Sequence, residues 1–171
     1  MVSNRWVLTA AHCTRGKSAS SFQVLVGEHD YDDPLETNTI RLDVVEIKDH
    51  PSYDHPTTDY DFSLLKLASD IDFEANSHIR PVCLPTDSTN TYAGQKATVT
   101  GWGTTSSGGS SSNILLEVDV NVLSNEECKN NYPPAMITGQ MMCAKVNRGG
   151  KDACQGDSGM TQIHTEHYIQ A

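Results

Sequence analysis

Apolar and polar positions alternate most cleanly along Leu116-Glu117-Val118-Asp119-Val120-Asn121-Val122. Side chains two apart share one face of an extended chain, so this run predicts a half-buried β-strand. Phe22–Gly27 and Ile40–Ile47 are short, rich in β-branched residues and bounded by turn formers, and they predict two further strands. Trp6-Val7-Leu8-Thr9 and Phe62–Leu67 are compact apolar runs of the same kind. One segment breaks the pattern. Ser124 stands three residues before Glu127, the spacing of a capping box, and predicts a short helix over 124–131 that Pro133-Pro134 prevents from continuing. Thr104–Asn113, rich in Ser and Gly, separates two strand-like runs and reads as a surface loop rather than an interdomain linker. No repeat recurs at a fixed period. Short strands without a long helix predict an all-β sandwich or barrel.

The length of 171 residues fits one domain or two small sub-domains sharing an interface. A net charge of −10 argues against nucleic acid or an anionic membrane as partner, because both require basic patches. No apolar run approaches the roughly 18 residues of a membrane-spanning helix. The first residues, Met1-Val2-Ser3-Asn4-Arg5-Trp6, lack the apolar stretch of a signal peptide. Five cysteines suit an oxidising compartment, but an odd number leaves at least one without a partner in the chain.

Gly156-Asp157-Ser158-Gly159 has the form of a nucleophile turn, in which glycines let backbone approach a reacting carbonyl. A serine hydroxyl is a weak nucleophile and needs a base beside it and donors for the developing oxyanion. His12, just after the run Trp6–Thr9, is the candidate base, since a histidine with an ordinary pKa of about 6.5 can take a proton and return it at neutral pH. A carboxylate must hold the imidazole in the right tautomer. Asp59 and Asp61 are both at hand; Asp61 opens the apolar run Phe62–Leu67 and is the better placed for burial. Each signal alone is weak. The set His12, Asp61, Ser158 is specific.

With "WVLTAAHC", "RPVCLP" (Arg80–Pro85), "TGWGT" (Thr100–Thr104) and "DACQGDSG" (Asp152–Gly159), the chain resembles the chymotrypsin/trypsin family of serine endopeptidases from about Val2 to Gly159. The resemblance implies two antiparallel β-barrels with the triad in the cleft between them. Residues 1–87 would form the first barrel without its initial segment, 88–159 part of the second, and 160–171 a tail unlike the family. Both barrels would be incomplete, with one short helix near 124–131. It implies Ser158 as nucleophile, His12 as general base and acid, and Asp61 as orienter. The N–H groups of Gly156 and Ser158 would form the oxyanion hole. Asp152 would lie at the floor of the specificity pocket and favour Arg or Lys at the cleaved bond. Its plainer reading is a solvated residue after Gly149-Gly150-Lys151. Protein or peptide substrates and protease inhibitors follow as partners, as do secretion, synthesis as a zymogen, and chemistry that requires no cofactor.

The family pattern also pairs Cys128 with Cys143. It leaves Cys13, Cys83 and Cys154 without partners in the chain, and Ala97 stands where a cysteine is expected. Asp157 lacks the cut amino terminus it pairs with in activated members, and Met160 replaces the glycine that continues the motif. These departures imply a fragment with little activity of its own. The alternative is a non-catalytic homologue acting as a binding or regulatory module, a class that usually lacks a triad residue. Glu28, Asp30 and Glu36 match a loop that binds calcium in some trypsins, and a solvated acidic loop explains the same residues. His164 and His167 are spaced for one helical face, and they read as incidental rather than a zinc site.

Overall fold

The computed structural model describes residues 1–33, 35, 38–104, 109–130, 132, 136–146 and, for the backbone alone, 162–163. Its strands are β1 (Trp6–Thr9), β2 (Gln23–Val26), β3 (Ile40–Asp49), β4 (Ser63–Leu67), β5 (Lys96–Gly101), β6 (Leu116–Leu123), β7 (Cys143–Lys145) and β8 (Gln162–Ile163). Two short helices, α1 (Ala11–Thr14) and α2 (Asn125–Lys129), interrupt them. The strands form two antiparallel four-stranded sheets, in the orders β1-β4-β3-β2 and β7-β6-β5-β8. The architecture is all-β, as the short alternating runs imply.

The first sheet closes over Leu67, Ile71 and Ile79, against which Val7, Val24, Val26, Ile40, Leu42 and Phe73 pack. Leu67 is fully buried. Alternation along β4 explains why: Ser63, Leu65 and Leu67 face inward while Leu64 and Lys66 are only half-buried. In β3 the register shifts between Val44 and Glu46, so that exposed Val45 forms a bulge and bends the strand around the core. Gly27, just after β2, has φ of 76°, and a Cβ there would meet His78 Nε2 at 3.0 Å. Only glycine fits this turn without displacement.

The second sheet buries Tyr92, Ala97, Val99, Val120 and Val122. Val120 and Val122 are the inward residues of the alternating run, whereas Leu116, at its outer end, stays 43% exposed. Ala97 fills a position in this core with a methyl group. The helix α2 begins with the capping box: the Glu127 N–H donates to Ser124 Oγ at 3.1 Å and the Ser124 N–H donates to Glu127 Oε2 at 3.1 Å. A disulfide joins Cys128 in α2 to Cys143 at the start of β7, with Cα atoms 6.2 Å apart. β8 pairs with β5, Ile163 opposite Thr98 and Gln162 opposite Val99.

The two halves are joined by polar contacts. Asp30 bridges Ile114, the Trp102 indole donates to His29 O at 3.0 Å, and Asn113 Nδ2 donates to Asp32 Oδ2 at 2.6 Å. Thr104 bridges Ser111, which closes the Ser/Gly-rich segment into a surface loop.

Candidate active site

His12 sits in a helix of a single turn that begins with Ala10, a residue with no side chain to cap it. The first amides of any helix lack internal partners. Here Asp61 supplies one: the His12 N–H donates to Asp61 Oδ1 at 2.8 Å. The other oxygen, Oδ2, lies 2.6 Å from His12 Nδ1. One carboxylate thus holds both the backbone and the ring of the same residue, and the Nδ1 contact fixes the proton on that nitrogen. Nε2 is left as an acceptor. The Asp61 side chain is 25% exposed and that of His12 41%, so the carboxylate is sheltered while the ring reaches solvent. His12, Arg15, Gly16 and His55 line an open pocket of about 430 Å³ beside the ring.

The chain reaches Asp61 through an unusual path. Thr58 and Tyr60 have φ of 56° and 53°, the left-handed region that a side chain makes costly. For residues other than glycine this is about 1–3 kcal/mol each, and it persists only where surroundings enforce it. The Phe62 N–H donates to Tyr60 O at 2.7 Å, closing a tight turn centred on Asp61. The His50 ring stacks on Tyr60 at 4.8 Å with only 5° between planes, and the His50 N–H donates to Phe62 O at 2.8 Å. Both contacts brace the turn from β3.

Asp59 does not share the task. The left-handed Tyr60 turns the chain between the two aspartates, and Asp59 Oδ1 instead accepts from Thr138 Oγ1 at 2.6 Å, in the other half of the molecule. Asp49 is a participant that no sequence signal marked. Its Oδ1 accepts from Thr14 Oγ1 at 2.6 Å and from Ser63 Oγ at 2.8 Å. Burial, and secondarily the charge on Asp61, push the adjacent Cys13 thiol up, so it stays protonated and apolar in character. The same two causes push the Tyr53 phenol up.

Ser158, Gly156, Asp157, Asp152 and Cys154 lie outside the described residues, as do Glu36, His164 and His167. Among the described residues, Cys13 and Cys83 are free thiols. Glu28 and Asp30 are committed to local hydrogen bonds, with the hydroxyl of Thr39 and with the amide of Asp32. No three His, Cys, Asp or Glu side chains among the described residues converge to hold a metal ion. Glu36, the third calcium candidate, lies outside the described residues.

A sheltered carboxylate thus holds a histidine at two points on an all-β frame of two antiparallel sheets, the arrangement that the base and orienter of a serine protease require. Comparison with known proteins agrees. The Trypsin family model matches residues 1–170. Trypsin of Sus scrofa is 41% identical over 160 residues, 93% of this chain and 65% of that protein. Cationic trypsin-3 of Rattus norvegicus is 41% identical over 93% of the chain and 61% of its own length. Serine proteinase stubble of Drosophila melanogaster is 37% identical over 93% of the chain and 20% of its own length. The chain belongs to the trypsin family. It spans less than two thirds of the length of these relatives.

Proposed function

We propose that this chain carries the catalytic machinery of a serine endopeptidase that cleaves after Arg or Lys. The observation that supports it best is the two-point grip of Asp61 on His12, at 2.8 Å and 2.6 Å. Such a grip leaves Nε2 free to accept a serine proton. The steps are those of the family's well-studied chemistry, carried onto these residues. Ser158 Oγ attacks the scissile carbonyl carbon and its proton passes to His12 Nε2. The carbonyl π electrons move to oxygen, where the N–H groups of Gly156 and Ser158 receive them. The imidazolium, steadied by Asp61, returns the proton to the leaving amine as the C–N bond breaks. Water repeats the sequence on the acyl-enzyme and frees the serine.

Asp152 gives the specificity. A carboxylate at the floor of a dry pocket pairs with a substrate guanidinium or ammonium and rejects neutral side chains. The partners are proteins or peptides with Arg or Lys at the cleaved bond, and inhibitors that mimic them. Five cysteines and the resemblance to trypsins support secretion of the protein from the cell. Among the described residues no helix is long and apolar enough to cross a membrane.

The test compares kcat/KM, for the chain extended to the full length of a trypsin-family peptidase domain, across substrates that differ only at the residue before the cleaved bond, beside the Ser158→Ala variant. Arg and Lys substrates are expected to lead, and Asp152→Ser to abolish that lead. A preference for Phe or Leu would sink the role given to Asp152. Turnover unchanged in Ser158→Ala would sink the whole reading.

A further inference from the structure

We propose that Asp49 is a positioning residue for the His12–Asp61 pair, one carboxylate oxygen clasping the helix that carries His12 to the strand that follows Asp61. The inference rests on the endopeptidase reading for its consequence, though not for its geometry. Thr14 stands two residues after His12 in α1, and Ser63 stands two residues after Asp61 at the first position of β4. Both residues are 1% exposed. Their hydroxyls converge on the same atom, Asp49 Oδ1, at 2.6 Å and 2.8 Å. Thr14 Oγ1 also lies 3.2 Å from Ala11 O, a longer alternative for its one proton.

A buried hydroxyl needs a partner, and a charged acceptor is the strongest available. Here two such hydroxyls from two elements share one acceptor, so each element is fixed relative to the other through Asp49. β4 is laddered to β1 and β3, with Ser63 directly opposite Asp49, but α1 is a single turn with no side-chain cap and no ladder of its own. Asp61 lies in a turn that directly follows the left-handed Tyr60. Asp49 thus carries the fixed geometry of the sheet to the helical turn that holds His12. The His12–Asp61 contact tolerates little movement, since hydrogen bonds weaken steeply with distance and angle, and a misplacement of about 1 Å can cost on the order of 10² in rate. The neighbouring residue works to the same end. His50 stacks on Tyr60 and donates to Phe62 O, so the last residue of β3 and the one after it grip the Asp61 turn from both sides.

The experiment reads the pair directly, without substrate. Amide hydrogen exchange of His12 reports its bond to Asp61 Oδ1, and the Nδ1–H proton resonance reports the bond to Oδ2. Asp49→Ala removes the acceptor. Asp49→Asn keeps an acceptor oxygen and removes only the charge. Asp49→Ala is expected to lower His12 amide protection about tenfold or more and to broaden or abolish the Nδ1–H signal, with Asp49→Asn close to wild type. In turnover the loss should fall on kcat, with KM unchanged. Wild-type protection and resonance in Asp49→Ala would overturn the proposal. Equal losses in Asp49→Asn and Asp49→Ala would also overturn it, because charge rather than the shared acceptor would then be responsible. Should Asp49→Ala fail to fold, Thr14→Val removes one donor while keeping its shape, and unchanged His12 signals there would be decisive against the clasp. A wild type without Ser158-dependent turnover, whose His12 signals still collapse in Asp49→Ala, would count for the clasp and against the endopeptidase reading.

Discussion

Replacing Asp61 by Asn tests the grip on His12 at the level of single atoms. The carboxylate presents two acceptors, Oδ1 to the His12 amide and Oδ2 to Nδ1. An asparagine has one acceptor and one donor for the same two places. If its oxygen keeps the amide, its NH2 faces Nδ1 and drives the proton to Nε2, where it blocks acceptance from Ser158. If the amide group flips, the orphaned backbone N–H of α1 loses its partner. Either way the charge that stabilises the imidazolium is gone. At 2.6 Å and an effective dielectric of about 20, the charge pair is worth at most about 6 kcal/mol, a ceiling of about 10⁴ in rate. Solvent around the exposed His12 ring reduces this, and about 3 kcal/mol, a charge-assisted hydrogen bond at the upper end, gives a floor of about 10². A fall of about 10⁴ is known for this substitution in the family's reference protease, at the top of that range. The assay is kcat and KM on an Arg ester for wild type and Asp61→Asn. The fall should lie in kcat with KM little changed. A loss smaller than tenfold would refute the assignment of Asp61 as orienter.

Three further outcomes follow from the frame. The Ser124 backbone N–H first, and its hydroxyl second, hold the Glu127 carboxyl below the usual range, so its contribution to α2 is present above about pH 4.5 and is lost as pH falls through the lowered value. The protection factors of the Ser124 and Glu127 amides, corrected for the intrinsic pH dependence of exchange, should therefore fall in acid, and Glu127→Gln should flatten that dependence; a fall of equal size in both proteins would refute it. Reducing the Cys128–Cys143 bridge, which closes a loop with a sequence separation of 15, should destabilise by about 3 kcal/mol in denaturant titration, and an unchanged midpoint would show that the loop is held by packing alone. Gly27→Ala should cost about 1–3 kcal/mol, since it combines a left-handed φ with a Cβ 3.0 Å from His78, and a neutral thermal shift would show that the turn relaxes freely.

What could be read from the chain, and what could not, divides by the range of the interactions involved. β1, β2, β3, β4 and β6 each carry enough inward apolar residues to announce themselves, and the capping box of α2 is a contact between residues three apart. β5 offers only Ala97 and Val99 to the core, and its remaining residues, Lys96, Thr98, Thr100 and Gly101, give no apolar period to detect. The helical turn α1 has neither cap nor length; it exists because Asp61 and Asp49 satisfy its polar groups from 49 and 35 residues away. His12 and Asp61 could be proposed together because each adjoins an apolar run and the two fit one chemistry, and the structure brings their side chains to 2.6 Å. Asp49 was not. It is one of 22 acidic residues, and nothing in "EIKDHPSY" separates it from the solvated ones. The choice of Asp61 over Asp59 shows the limit most sharply. Period-two reasoning puts both on one face, and only the left-handed Tyr60 between them sends one to His12 and the other to Thr138.

The pair therefore owes its geometry to a register. Thr9 of β1 stands opposite Ser63 of β4, and Ser63 stands opposite Asp49 of β3, so three residues form one row across the sheet at its end. His12 leaves the sheet three residues after the first of them, Asp61 enters two residues before the second, and Asp49 is the third. A slip of β4 by one residue would move Asp61 along the sheet by about 3.3 Å and turn the Ser63 hydroxyl to the opposite face. The grip on His12 and the clasp at Asp49 would break together. What forbids the slip is the inward series Ser63, Leu65, Leu67, each nearly or wholly buried, because a shift by one would expose the two leucines and bury Lys66. The apolar core under the first sheet thus does more than stabilise it. By fixing which residue of β4 faces which residue of β1 and β3, it sets the 2.6 Å contact on which the proposed chemistry depends.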